Sequence, residues 1–328
     1  MNQNQFMRTY LLFRRLLLLI PLFASGVVEA QTLKVTLLGT GAPFPRIDRF
    51  GPSILLEAGS TKLLFDCGRG ASQRLWQLKI PLGVVNTVFF THLHSDHTVG
   101  FPDLWLTGWL PAVYGRWAVP MQVFGPEGTA TMMAALKQAC AWDLSVRQQG
   151  QGPSEAGTVV TATNISQGVV YQQGGVKVTA LDVKHGEGLK PAFGYRVDYA
   201  GHSVVFSGDT GPSDNLVKFA QGAEVVVHEV AAAREGLVQT SATAREILSF
   251  HTQPEEAGQV LARIKPKLAV YSHIVLLSTD PSIPPPTDQE LLPRTRKTYS
   301  GRVELGEDLM SIEIGSEVTV RRFVPPSK

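Results

Sequence analysis

The chain has 328 residues, 44% of them hydrophobic and 18% charged, with a formal net charge of +2. That make-up allows one large core or two smaller ones and argues against disorder. Residues 1–30 hold three arginines and one glutamate, so the rest is close to neutral; since a polyanion-binding surface needs clustered Lys and Arg, no nucleic-acid partner is expected.

In chain order, Arg8, Arg14 and Arg15 precede an apolar run from Leu16 to Val28, which closes in the small-x-small pattern Val28-Glu29-Ala30. This predicts a cleaved signal peptide over 1–30, a single domain over 31–328, and a periplasmic or secreted protein. A run of about thirteen apolar residues broken by Pro21 is too short for roughly 30 Å of hydrocarbon, so no stable membrane anchor is expected. Arg14-Arg15 leaves twin-arginine export open beside the general route. Leu33 to Leu38 is strand-like and ends in Gly39-Thr40-Gly41; Ser53 to Glu57 and Lys62 to Phe65 form a hairpin leading to Asp66-Cys67-Gly68. Cys67 and Cys140 are the two cysteines. They are compatible with one disulfide or with packed free thiols.

Asn86 to Phe90 is a further strand, and after it Thr91-His92-Leu93-His94-Ser95-Asp96-His97 packs three of the chain's eight histidines and a carboxylate into one loop. Metal binding is the direct reading, and one such loop can serve two centres. Trp105, Trp109 and Trp117 interleave with prolines and suit either a lid or the core. Thr129 to Trp142 is predicted as a helix and 148–157 as a polar loop. Val176 to Val183 is a strand delivering His185. Phe193 to Tyr199 and Ser203 to Phe206 form a second hairpin, with His202 in its turn, ending in Ser207-Gly208-Asp209-Thr210. Glu224 to Val227 closes with His228-Glu229. His251 precedes a helix over 253–265, for which Thr252 and Glu255 supply a capping box, and Leu268 to Ser272 delivers His273.

The pattern H-x-H-x-D-H at a strand end resembles the signature of the metallo-β-lactamase superfamily. The order of Gly39-Thr40-Gly41, His92 to His97, His185, Phe193-Gly194-Tyr195-Arg196, Ser207 to Thr210, His228-Glu229, His251-Thr252 and Ser272-His273 is similar to its ribonuclease Z-like branch, which also contains exported arylsulfatases. The resemblance implies an α/β fold, a four-layer αββα sandwich with the site at one edge. It implies that His92, His94 and His185 hold one metal, that Asp96, His97 and His273 hold the other, and that Asp209 bridges them. Asp66 would sit beneath the loop and orient ligands. Nitrogen ligands with a few carboxylates suit two Zn²⁺ per chain, with Mn²⁺ or Fe accepted by the same set. Two such ions sharing a water lower its pKa towards 7 and supply a hydroxide nucleophile.

Asp96, His251 and Glu229 are the implied catalytic residues, with His251 delivering a proton to the leaving oxygen and Glu229 as its partner. The dipole of the helix after His251 is expected to keep its imidazole neutral at rest. His228 is given no role. Between His185 and Asp209 the chain lacks the long Gly/Pro/Lys-rich arm of the transfer-RNA-processing enzymes. With export predicted, the expected activity is therefore hydrolysis of a small-molecule ester: an aryl sulfate, or a related phosphodiester or carboxylic ester. The alternatives are a ribonuclease Z-like phosphodiesterase or nuclease, a lactonase or β-lactamase-like hydrolase of esters or amides, and a metal-binding protein without catalysis. The sequence does not set the oligomeric state.

Overall fold

In the computed structural model residues 32–111, 118–151, 154–186 and 190–325 are described. The leader over 1–30, Trp117 and residues 152–153 of the expected polar loop lie outside the described residues. Fifteen strands are seen among them: β1 (Leu33–Gly39), β2 (Ser53–Ala58), β3 (Thr61–Phe65), β4 (Thr87–Phe89), β5 (Met121–Gly125), β6 (Val160–Asn164), β7 (Gly168–Gln173), β8 (Val176–Asp182), β9 (Phe193–Tyr199), β10 (His202–Phe206), β11 (Val225–Ala233), β12 (Leu268–Leu277), β13 (Val303–Leu305), β14 (Ser311–Ile314) and β15 (Val318–Arg321). They form two mixed sheets, ordered β15-β14-β1-β2-β3-β4-β5-β6 and β13-β12-β11-β10-β9-β8-β7.

Period-2 side-chain alternation sorts each central strand between two apolar layers. From β1, Leu33, Val35 and Leu37 face the space between the sheets, where Phe65, Phe89, Tyr195, Phe206, Val227 and Val270 meet them. Leu38, Leu55, Leu64 and Val88 point the other way, under the helices Ala71–Gln77 and Phe101–Gly108. Val205, Val226 and Ala269 point outward from the second sheet, under Asp214–Phe219 and Pro254–Ile264. The result is helix, sheet, sheet, helix, as expected. Phe65 is central to the inter-sheet layer, 5.0 Å from Phe89 on its own sheet and 4.7 Å from Phe206 on the other; truncating such a side chain to alanine costs about 3–5 kcal/mol.

Strand direction gathers the site at one edge. β3 and β4 are parallel, as are β10, β11 and β12, and β8 runs in the direction of β10 because each is antiparallel to β9. The carboxyl ends of β8 and β10 therefore open on the same side, and the residues that follow β4 meet those that follow β8 and β10 there. Two cross-sheet bonds fix the loop after β4 to the second sheet: Tyr195 Oη donates to Phe90 O at 2.6 Å, and Phe193 N donates to Thr91 O at 2.9 Å.

Several local expectations change. The helix expected over 129–142 is two helices, Thr129–Ala139 and Ala141–Gln151, broken at Cys140, and the second consumes the start of the expected polar loop. Trp105 and Trp109 are core residues, 1% exposed, not a lid. Both cysteines are free. His202 is the first residue of β10 and hydrogen-bonds Glu224 at 2.8 Å. The helix after His251 is capped by Gln253 and Glu256 rather than Thr252 and Glu255, because it starts at Pro254. Neither β11 nor β12 stops at the site: His228, Glu229 and His273 lie within strands that run on for several residues.

Candidate metal centre

The first half of the centre comes from one loop. His92 and His94 lie in extended chain after β4, and Ser95–Thr98 makes a single helical turn that carries Asp96 and His97 inward. Gly68 lets the loop sit this low: a Cβ there would lie 2.5 Å from Asp96 O. Asp66, at the end of β3 with φ 57°, accepts from Thr91 N at 2.8 Å and Thr91 Oγ1 at 2.9 Å, and pairs with His97 Nδ1 at 2.8 Å.

The second half is assembled from separate strands. His185 follows β8, and Asp209 follows β10 through Gly208, whose φ of 59° and whose would-be Cβ at 2.3 Å from Phe193 O both demand glycine. His273 is delivered by a bulge. Glu229 pairs with Ser272 and Val230 with Ile274, which leaves His273 as the extra residue on β12, at φ 44°. A bulge re-aims one side chain without ending the strand, which is why β12 continues to Leu277.

The seven expected residues converge. His92 Nε2 lies 2.9 Å from His94 Nδ1, and His185 Nε2 is 3.4 Å from the same atom. Asp96 Oδ2 is 3.6 Å from His97 Nε2 and 3.3 Å from His273 Nε2. Between the two groups Asp209 Oδ2 is 3.9 Å from His92 Nε2, 3.4 Å from His97 Nε2, 3.8 Å from His185 Nε2 and 3.2 Å from His273 Nε2. Clusters His92/His94/His185 and Asp96/His97/His273 can each hold an ion, with Asp209 facing both.

The donor set fits divalent cations. His97 Nδ1 is spent on Asp66, so in the neutral ring Nε2 is a lone pair; it is buried without a hydrogen-bond partner and faces two carboxylates. Acceptors facing acceptors in a dry site require positive charge among them. Without an ion the ring itself supplies it: burial opposes charging His97, but Asp209 and Asp66 raise its pKa well above the ordinary value. Burial and the neighbouring His97 hold His92 well below its ordinary value, leaving a lone pair ready for a ligand role. Burial likewise opposes ionisation of Asp209, but His273 and His97 keep its pKa well below the usual carboxylate range.

Beside the cluster, His251 Nδ1 stands 3.3 Å from Glu229 Oε2, an ion-pair contact not aligned as a hydrogen bond. The other Glu229 oxygen accepts from Thr252 N at 2.7 Å and Thr210 N at 3.4 Å. The expectation of a neutral His251 is corrected: burial opposes its charge, but Glu229 and Asp209 outweigh burial and push its pKa up to about 9. Two nearby carboxylates, Glu229 foremost, set the charge of this imidazole. Positioning residues with no role in the sequence reading also emerge. Thr91 Oγ1 lies 3.0 Å from His92 Nδ1, and Phe250 O is 3.1 Å from His185 Nδ1. Thr91 adjoins the histidine cluster and is open to suspicion on that ground; a backbone carbonyl leaves no sequence signal.

The sequence profile of the beta-lactamase superfamily domain matches residues 61–274. Ribonuclease Z of Mycobacterium avium (strain 104) is 34% identical over 284 residues, 86% of this chain and 98% of that protein. In structure, the chain is similar to the metallo-beta-lactamase fold protein YhfI from Bacillus subtilis, with a TM-score of 0.66, 18% identity, and coverage of 86% of this chain and 99% of that one. It is also similar to human tRNase Z, short form, with a TM-score of 0.61, 23% identity, and coverage of 85% and 98%. These relatives overturn the expectation of a small-molecule ester substrate with no nucleic-acid partner, since proteins named ribonuclease Z act on RNA. Two arguments behind that expectation fail for physical reasons. Net charge averages the whole surface and does not register clustering, whereas Arg46, Arg49 and Arg69 share the wall of one cleft with Phe44 and Phe50, the first two also pairing with Asp288. The short connection from His185 to Asp209 does not set the chain apart either, because it matches 98% of a ribonuclease Z.

Proposed function

The chain belongs to the beta-lactamase superfamily, as a metallo-β-lactamase-fold hydrolase homologous to ribonuclease Z, and on that premise we propose that it is a ribonuclease Z-like phosphodiesterase hydrolysing RNA. The observation that carries this reading is the 34% identity to a ribonuclease Z over nearly its whole length, in a chain whose seven candidate ligands and His251–Glu229 pair meet at one edge. That identity favours RNA over an aryl sulfate.

In this reading His92, His94 and His185 would hold one cation and Asp96, His97 and His273 the second, with Asp209, which faces both groups, available to either. Zn²⁺ suits a set of five imidazoles and two carboxylates best, with Mn²⁺ or Fe as lesser fits. Such a pair, when bound, lowers the pKa of water and offsets the negative charge that builds on the phosphoryl oxygens. The rest of the chemistry belongs to the side chains. Asp96 and Asp209 supply the anionic charge that a buried cation pair requires. Glu229, anchored by Thr252 N and Thr210 N, turns His251 so that Nδ1 faces the carboxylate and Nε2 is left to give its proton to the leaving alkoxide oxygen. A pKa pushed up by Glu229 keeps that proton in place at neutral pH, and two nearby cations would pull the value back towards the range where transfer is efficient. The test is incubation of zinc-loaded protein with a precursor transfer RNA and with unrelated structured RNAs. Cleavage that stops on chelation and returns with zinc is the expected result. A zinc-replete protein that leaves every RNA phosphodiester intact would sink the reading.

We keep export through a cleaved leader over 1–30 as part of the proposal, supported by the arginines ahead of the Leu16 to Val28 run and by Val28-Glu29-Ala30, so that the RNA cleaved is RNA met outside the cytoplasm. Envelope protein should begin near Gln31. An intact Met1 terminus in the cytoplasmic fraction would remove it.

A further inference from the structure

Against the metal centre, lined in part by its own His97, Asp209 and His273, lies a chamber with about 40 Å³ of room for water. Ile54 and Val227 are among its apolar walls, and His97, Asp209, His228, Glu229 and His273 line it on the polar side. Thirteen buried side-chain atoms among the described residues have no hydrogen-bond partner, and five of them belong to those five chamber residues. One, His97 Nε2, faces the carboxylates of the site. The others include Asp209 Oδ1 and His273 Nδ1.

Imidazoles that ligate a metal through one nitrogen are held by a hydrogen bond to the other. Three of the buried rings follow this rule through protein partners: His92 Nδ1 has Thr91 Oγ1, His97 Nδ1 has Asp66, and His185 Nδ1 has Phe250 O. His273 presents Nε2 to Asp96 and Asp209, and its Nδ1 is the exception. With Nε2 facing inward, Nδ1 carries the ring proton and is a donor. Asp209 presents Oδ2 to the four rings, so its Oδ1 is an acceptor without a donor.

We propose that the chamber is a built water site whose water accepts from His273 Nδ1 and donates to Asp209 Oδ1, giving His273 the outer hydrogen bond that the other buried rings take from protein. The space suffices, because a trapped water needs roughly 10–15 Å³ on this measure and two to four polar partners. The polarity is complementary, since one water can serve a donor and an acceptor at once. This water adds a polar hold to a ring that otherwise stacks between His97 at 5.0 Å and His251 at 5.7 Å. The inference rests on the two-cation reading above, and its specific consequence is that the cation on the His273 side depends on hydration of the chamber.

The test fills the chamber. Val227→Ile adds one methyl group to its wall and keeps a β-branched residue in β11. Displacing the water should weaken one of the two Zn²⁺ by roughly 10–100-fold, the usual cost of losing an outer ligand partner, and leave the other unchanged. Zinc affinity is read by chelator competition on the full protein, independently of activity. Ile54→Val, which enlarges the chamber instead, should leave both affinities as they are. A Val227→Ile protein with raised Tm and two unchanged affinities would show a dry cavity filled, and would overturn the proposal. Should Val227→Ile fail to fold, a high-resolution crystal structure of the zinc-loaded wild type decides. Ordered water within hydrogen-bond distance of His273 Nδ1 supports the proposal, and an empty chamber that takes up xenon overturns it. A wild type that binds fewer than two zinc ions would count against the function reading, while the crystal structure still settles the chamber.

Discussion

The two halves of the centre are built in opposite ways. On the first sheet, His92, His94, Asp96 and His97 come from one loop after β4, with Asp66 bracing it from the end of β3. On the second, His185, Asp209, Glu229, His251 and His273 come from different elements, and their placement depends on register: a bulge at His273, a glycine before Asp209, and a carbonyl from Phe250 behind His185. The contrast teaches that a contiguous ligand cluster carries its own geometry. A dispersed one is only as precise as the strands that carry it, because a one-residue slip turns a side chain to the other face.

The largest effect should come from the residue that joins the halves. Asp209 Oδ2 is within 3.9 Å of four imidazole nitrogens. Asp209→Ala is expected to lose both cations and to fall below detectable RNA cleavage; metal analysis showing two retained ions would break the comparison. Next in size is His251→Ala, which should keep both cations and the fold while kcat falls by about 10²–10⁴-fold, the range of general acid–base catalysis. Its loss should shrink on phosphodiesters with a nitrophenolate leaving group, which departs without a proton. An equal loss across leaving groups would return His251 to a structural part.

Much of the first half was open to sequence reasoning because its chemistry is local. His92 to His97 are consecutive, and Asp66-Cys67-Gly68 marks the support beneath them. The αββα layering is legible through the resemblance to the metallo-β-lactamase superfamily that those residues carry, because strand periodicity marks the strands without ordering the layers. The second half resisted. His228-Glu229 and Ser272-His273 read as strand ends in the sequence because a bulge has no hydrophobic-period signature, whereas β11 and β12 run on past them. The charge of His251 is not legible in the sequence because Glu229 is twenty-two positions away along the chain and 3.3 Å away in space. The substrate class was misjudged because net charge does not say where cations sit.

Smaller effects sharpen the contrast. Asp66→Asn keeps the size of the brace and removes its charge, so cation affinity on the His97 side should drop by roughly 10–100-fold with the fold intact; unchanged affinity would mean that the loop holds its own geometry without Asp66. Glu229→Gln should be the mildest. It removes the charge that raises His251, so the alkaline limb of the kcat/KM profile should move to lower pH, with modest loss at neutral pH. A limb that stays in place would detach Glu229 from His251.

The most direct measurement of whether both halves work as one centre is RNA cleavage followed against bound zinc, adding the metal stepwise to metal-free wild-type protein. Cleavage should be nearly absent through the first equivalent and rise with the second, reaching its plateau at two ions per chain. Full cleavage at one equivalent, or a protein holding two equivalents that leaves RNA uncut, would contradict a two-cation RNA phosphodiesterase.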